Sequence, residues 1–258
     1  MGILVPSVKR PYFGMVVEGI ADEALQWGCN LMLIQTNYEE ERELEAFMLL
    51  KLKQIDALII CSKTSGWDIV EEYNRYGPIV VLEDARGRQV SSIFIDHYKC
   101  FTMALSYLTG KGHEKIGYCL ARKTGTSSMQ REAAYRDFYT KRNQAVRPDY
   151  FFYDAVHMED GQWIMQQIAG MPDPRQPYWS LAIKWSAGIL VYCRDQHIEV
   201  PGQLAIVGFD NQPIAKVMNI TTFAIPLGEI GRKLFLLAAQ GEVRHLEIET
   251  EFIERLTV

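Results

Sequence analysis

A chain of 258 residues, 48% of them hydrophobic, has the material for a full core, as one α/β domain or as two joined halves. Its 32 acidic residues outnumber 27 basic ones, and a net charge of −5 excludes a surface that itself neutralises nucleic-acid phosphates. No apolar run approaches the roughly 18 residues of a membrane helix; Cys29, Cys61, Cys100, Cys119 and Cys193 form no CxxC pair and read as reduced core thiols of a cytoplasmic protein.

Short strand-like runs alternate with helix-period segments from end to end. GILVP (residues 2–6) reads as the first strand, and Pro11 to Trp27 as a helix whose Phe13, Val16, Val17, Ile20 and Ala24 keep the 3/4 spacing of one buried face. Gly28 stands where a C-terminal cap belongs. NLMLIQT (30–36), a helix from Glu39 to Lys53 and DALIIC (56–61) continue the rhythm. Further strands are predicted at PIVVLED (78–84), SSIFID (91–96), KIGYCLA (115–121), DYFFYDA (149–155), Trp179 to Ile183, QLAIVGF (203–209) and ITTFAI (220–225). Helices are predicted near Tyr98 to Thr109, Met129 to Arg142, Glu159 to Ala169, Ser186 to Gln196 and Leu227 to Gln240. Such alternation implies mostly parallel sheets covered on both faces. About ten strands are many for one sheet, so the expected α/β fold is two doubly wound sheets with a cleft between them.

Enzyme signatures are missing. No GxGxxG, GxxxxGK[ST] or GxSxG occurs, and His97, His113, His157, His197 and His245 share no ligand spacing, so no enzyme, cofactor or metal is expected. ARKTGTSSMQ (121–130) lacks the Lys-Ser/Thr ending of a phosphate loop and reads as a polar loop capping the helix that carries Arg131. His113, in GKGHEKIGY, is expected to serve a turn. Asp96 and His97, adjacent at a strand end, point to opposite faces and make a poor acid–base pair. In LAIVGFDNQP (204–213), Asp210 stands at the tip of a buried strand, where a ligand contact at the carboxyl end of a sheet and a helix cap are both open. Asn211 and Gln212 precede Pro213, a fitting first residue of a helix.

Seven segments in order resemble the effector-binding core of the LacI/GalR family of bacterial transcription regulators. They are VPSVKRPYFGMVVEGIADEALQWG (5–28), IDALIICS (55–62), PIVVLED (78–84), IDHYKCFTMALSYLTGKGHEKIGYC (95–119), QREAAYRDF (130–138), VPGQLAIVGFDN (200–211) and ITTFAIPLGEIGRKL (220–234). The resemblance implies a periplasmic-binding-protein type I fold, with a small effector held between two lobes linked by three crossovers. Residues 1–117 with 226–246 would form the N-terminal lobe, and 118–225 with 247–258 the C-terminal one. It also implies a homodimer, no membrane, and contact with operator DNA through an N-terminal helix-turn-helix domain outside these residues.

Arg131 in QREAAYRDF and Asp210 in VGFDN match the family's effector contacts; Asn211 and Gln212 would then do the capping. Elsewhere the chain departs. Where the family has Asp-x-x-Asn-Pro-Phe-Phe, this sequence has Ser7, Arg10, Pro11, Tyr12 and Phe13; an Asn-Asp pair is replaced by Ala182 and Ile183, and a Gln by Ile225. Lost hydroxyl partners weaken binding of a neutral sugar. Arg10 beside Arg131, with Tyr12, Phe13 and Trp179 or Trp185 as stacking surface, predicts instead a sugar phosphate or related acid. The rival readings are a secreted solute-binding protein of this fold, an enzyme on a doubly wound sheet, and a regulator that answers to a protein partner.

Overall fold

The structure, a computed structural model, describes residues 1–120, 122–153, 160–171, 179–183 (backbone alone) and 186–258. In chain order the elements are β1 (Gly2–Val5), α1 (Pro11–Gln26), β2 (Met32–Gln35), α2 (Glu40–Lys51), β3 (Leu58–Ile60), α3 (Trp67–Tyr73), β4 (Ile79–Val81), β5 (Ser91–Phe94), α4 (His97–Gly110), β6 (Lys115–Cys119) and α5 (Thr126–Thr140). There follow β7 (Phe151–Phe152), α6 (Asp160–Ala169), β8 (Trp179–Ile183), α7 (Ser186–Asp195), β9 (Leu204–Asp210), α8 (Pro213–Val217), β10 (Thr221–Ala224), α9 (Leu227–Gln240), β11 (His245–Glu247) and β12 (Glu251–Ile253).

Two compact units result, Met1–Ile95 with Pro226–Glu249 and Asp96–Ile225 with Thr250–Val258. The first holds a sheet in the order β11-β5-β4-β3-β1-β2, every pair parallel. The second holds β12-β10-β9-β8-β6-β7, parallel except for β12, which runs antiparallel to β10. Continuous apolar runs such as LII and IVV form the central strands because both of their faces are covered.

The lobe boundary expected near residue 117 is corrected to Ile95/Asp96. β6 pairs with β7 and β8, in the second sheet, and α4 leads into it. The strand–helix rhythm runs unbroken through the crossing, so nothing in the sequence marks it. The last crossing falls at Glu249/Thr250 rather than after 246, because β11 pairs with β5 whereas β12 pairs with β10. The strand β11 and the helix α3 carry no clear periodicity and are absent from the sequence reading.

α1 starts on Pro11, whose ring presets the helical φ. It ends with Gly28 at φ 61, and Cys29 N–H donates to the Ala24 carbonyl at 2.9 Å, the left-handed stop that glycine allows. Its buried face includes Gly19, which the apolar spacing alone does not single out. A Cβ at Gly19 would lie 2.1 Å from the Gly228 carbonyl oxygen, and one at Gly231 only 2.2 Å from that of Val16. α1 and α9 therefore touch backbone to backbone. Gly14, also on α1, has open space around it.

Gly231→Ala is expected to lower the unfolding free energy of the chain by about 1–3 kcal/mol through overpacking. Gly14→Ala should be neutral or stabilising by up to about 1 kcal/mol. Urea melts of the two variants check this, and equal behaviour would contradict the close helix contact.

In the second unit His113 follows α4, where its N–H donates to the Leu108 carbonyl at 3.0 Å beyond Gly112 at φ 93. The residue is buried, and burial lowers its pKa from the ordinary 6.5. As pH falls through 6.5 the unfolded chain takes up a proton that the folded imidazole resists, so stability declines until the lowered folded value is reached. A His113→Gln variant should show a flatter stability profile between pH 7 and about pH 5 in thermal melts. An unchanged slope would contradict the assignment.

Candidate functional site

Arg131 occupies a core position. The buried face of α5 runs Ser128, Arg131, Ala134, Tyr135, Phe138, so a guanidinium stands in an otherwise largely apolar stripe, 8% exposed. Its carbon lies 4.4 Å from the centroid of the Phe209 ring, and Nη2 donates to Nδ1 of His97 at 3.3 Å. Stacking on an aromatic face suits a guanidinium because the ring attracts the cation while the N–H groups keep the plane of their own fork. Phe209 in turn stacks on Phe223, at 4.9 Å, and on Phe101, at 6.4 Å. The cation thus rests on a column of aromatic rings.

α5 begins at Gly125, φ 124, with no side-chain cap bond; the polar loop before it does not cap the helix in the way its composition suggested. α4 is capped properly. The Asp96 carboxylate accepts from Lys99 N–H at 2.8 Å, which makes His97 the first residue of the helix. Because β5 ends at Phe94, the opposite-face argument for Asp96 and His97 does not apply; one residue caps and the other reaches Arg131. Burial raises the pKa of Cys100, with Thr250 as hydrogen-bond partner and the charge of Arg131 both opposing that rise.

Asp210 closes β9, is 4% exposed and has φ 78, followed by Asn211 at φ 42. Two successive left-handed residues end the strand abruptly, and Asp and Asn are the side chains that tolerate this best after glycine. The expected capping by Asn211 and Gln212 is corrected. Asn211 Oδ1 accepts from Arg255 Nη2 at 2.8 Å, and Gln212, at the cap position of α8, makes no side-chain cap bond. Arg255 also donates to the Ile220 carbonyl at 2.6 Å, so it ties the end of β9 to the chain entering β10.

The first unit carries the other candidates. Ser7 Oγ accepts from Lys9 N–H at 3.3 Å in the loop after β1. Arg10 is the cap residue of α1 by position, yet its side chain does no capping: Nη1 donates to the Tyr38 hydroxyl at 3.0 Å, with the guanidinium 5.3 Å from that ring's centroid. Tyr38 follows β2, the sheet neighbour of β1, at φ 65 after Asn37 at φ 52. Tyr12 is half-buried and meets Phe13 edge-on at 5.1 Å; Phe13 is buried on the core face of α1. Ser7, Arg10, Tyr12 and Phe13 belong to one unit, Arg131 and Asp210 to the other. Trp185 and His157 lie outside the described residues, as do the side chains of Trp179, Ala182 and Ile183.

Sequence reasoning missed two residues, Phe209 and Tyr38, and set a third, His97, aside. Phe209 was in view beside Asp210, and its role needed only the question of what supports a buried cation. Tyr38 left no local signal, and His97 was weighed only as a partner of Asp96. Among the described residues no group of three or more His, Cys, Asp or Glu side chains could hold a metal ion, and no helix is long and apolar enough to cross a membrane.

Comparison with known proteins agrees with this architecture. Residues 1–147 match the family of periplasmic binding proteins and sugar binding domains of the LacI family, and residues 105–257 a periplasmic binding protein-like domain. The HTH-type transcriptional regulator YkvZ of Bacillus subtilis (strain 168) is 34% identical over all of this chain and 81% of its own length. The NTD biosynthesis operon regulator NtdR of the same organism is 29% identical over 92% of this chain and 73% of its own. A crystal structure of a LacI family transcriptional regulator from Lactobacillus casei with bound glucose superposes with a TM-score of 0.89 at 23% identity, covering 100% of this chain and 98% of that one, a likeness of fold. A family match over more than half of the chain, together with a relationship to YkvZ that runs over the whole of this chain, makes this chain a member of the LacI family of transcriptional regulators, carrying its periplasmic-binding-protein-like domain.

Proposed function

We propose that the chain senses a small sugar-derived metabolite bearing a phosphate or carboxylate, in a cytoplasmic regulator that acts at operator DNA. The observation that carries this reading is Arg131, a buried guanidinium stacked on Phe209 in a unit whose β9 ends in the buried carboxylate of Asp210. The first offers forked donors for an oxyanion or a diol, and the second accepts from hydroxyls. Arg10, seated on Tyr38, adds a second oriented cation at the carboxyl edge of the other sheet, where open α/β sheets bind their ligands. The bound glucose of the Lactobacillus casei regulator supports the sugar class, and the cations favour an acidic member of it.

Calorimetry of neutral sugars against sugar phosphates and sugar acids tests the reading. An acidic sugar is expected to bind, with Arg131→Ala weakening it on the order of 10- to 100-fold, as for hydrogen bonds to charged groups. Micromolar binding of a plain neutral sugar, lost in Arg131→Ala and undiminished in Arg10→Ala, would refute the anionic part and leave the role of Arg131 standing.

The reading includes a homodimer. The end of α1 and the edge strand β2 expose Leu25, Trp27, Met32 and Leu33, and in the second unit Ile214, Val217 and Leu256 are exposed around α8. Apolar side chains on an edge strand invite pairing, and an isologous contact of about 1,600 Å² is the usual size of a stable pair. Light scattering at tens of micromolar should give twice the 29.6 kDa of one chain. Leu25→Glu combined with Leu33→Lys should return the monomer mass; a native monomer would contradict the proposal.

A further inference from the structure

β9 and β10 run parallel, with Val207 beside Thr221 and Asp210 beside Ala224, so the end of β9 and the start of β10 lie at opposite ends of the pair. One guanidinium nevertheless reaches both. Arg255 Nη1 donates to the Ile220 carbonyl at 2.6 Å, and Nη2 to Asn211 Oδ1 at 2.8 Å. The two nitrogens belong to one small planar fork, so the chain turns back on leaving β9 and carries Asn211 towards Ile220. The left-handed pair, Asp210 at φ 78 and Asn211 at φ 42, is that turn.

Arg255 is itself well anchored. It follows β12, which pairs antiparallel with β10, and its N–H donates to Thr221 Oγ1 at 3.0 Å. Two residues on, the hydroxyl of the buried Thr257 accepts from Thr221 N–H at 2.9 Å and donates to the Ile206 carbonyl at 2.7 Å. The Thr257 carbonyl accepts from Ile206 N–H at 2.7 Å. This segment is thus stitched to the interior of β9 and to the start of β10, and the Arg255 guanidinium reaches from there to the turn. On the far side of the turn Gln212 makes no side-chain cap bond to α8.

The direction in which a side chain leaves the main chain follows from the backbone dihedrals, irrespective of what that side chain touches. Two successive left-handed residues are costly without glycine and persist only where their surroundings impose them. We propose that Arg255 is a positioning residue for Asp210: its bond to Asn211 imposes the turned-back backbone and so aims the Asp210 carboxylate for effector binding. The purpose of that aim rests on the effector reading above, whereas the hold of Arg255 on the turn is a property of the free chain.

The experiment has an arm without ligand and an arm with it. In the first, carbon chemical shifts of the whole folded chain report the sign of φ at residues 210 and 211. The native chain and Asn211→Asp, which keeps the acceptor, should show left-handed shifts at both; Arg255→Ala should lose them. Asn211→Gly removes the acceptor while tolerating the left-handed backbone, so it should stay folded and still lose the Asp210 signature. A merely structural arginine would lower the urea midpoint and leave these shifts in place, and that result would overturn the proposal. The second arm is calorimetry with the compounds of the effector screen, glucose 6-phosphate first. Arg255→Ala is expected to weaken binding roughly 10-fold in the native background and less than about 2-fold where Asp210→Asn is already present, as for residues acting on one contact. Equal losses in both backgrounds would also overturn it. Binding of none of the compounds to the native chain counts against the effector reading, and the ligand-free arm then upholds or overturns the hold of Arg255 by itself.

Discussion

The backbone contact between α1 and α9 is the constraint on which the first unit depends. α9 arrives only after the chain has built most of the second unit, and it must return to a sheet begun more than two hundred residues earlier. Gly19 and Gly231 let the two helices approach until carbonyl oxygens, of Gly228 and Val16, stand where side chains would be. Around that contact Leu227, Ile230, Leu234 and Phe235 are buried, and Trp27 meets Phe235 at 6.0 Å. With α9 docked, β11 is delivered to the free edge of β5, where His245 Nδ1 meets Ser92 Oγ at 2.8 Å. Any side chain at the crossing would push α9 outward and leave that edge bare, which is why a conformationally costly residue recurs on two helices that otherwise favour its replacement.

The second unit is organised around a different expense. A guanidinium taken out of water is tolerated only where hydrogen bonds and polarizable surface compensate it. Here the surface is the ring column Phe209, Phe223 and Phe101, and one hydrogen-bond contact is made with Nδ1 of His97. Both supports lie on elements with their own firm anchorage: β9 is buried along its whole length, and α4 is capped by Asp96. Asp210 adds strain of a second kind, a left-handed backbone in a non-glycine residue. That conformation turns the chain sharply out of the sheet and is held by the bonds of Arg255 to Asn211 and to the Ile220 carbonyl. Local irregularities of this sort gather at sites, where a position matters more than its conformational cost.

Legibility in the sequence followed the reach of each interaction. The α1 stripe, its glycine stop, the central strands and α9 are written in neighbouring residues, so periodicity finds them. The unit boundary at Ile95/Asp96 is not, because a crossing between two sheets uses the same strand-to-helix step as a crossing within one. Arg131 and Asp210 could be singled out by family resemblance, and Arg131 also by a physical oddity, a charge at a stripe position of α5. The pairing of Tyr38 and of His97 with an arginine could not, since each meets it across about thirty residues of chain.

The two arginines are seated on different kinds of partner. In the first unit the strand-end loops are pinned by side-chain hydrogen bonds. Gln35 accepts from Val8 N–H at 3.1 Å, the buried Glu43 carboxylate accepts from the N–H groups of Thr64 and Ser65 and from the Ser65 hydroxyl, and Arg10 leans on a phenol. Ordering these groups is a cost met during folding, which leaves less to meet on binding. In the second unit Arg131 rests on an aromatic ring and on an imidazole, the one side chain whose ordinary titration lies near neutrality. A ring face holds a cation without fixing its rotation in the plane; a hydrogen bond fixes it. The contact of Nη2 with Nδ1 of His97 thus helps to orient the Arg131 fork, as the Tyr38 hydroxyl helps to orient Arg10.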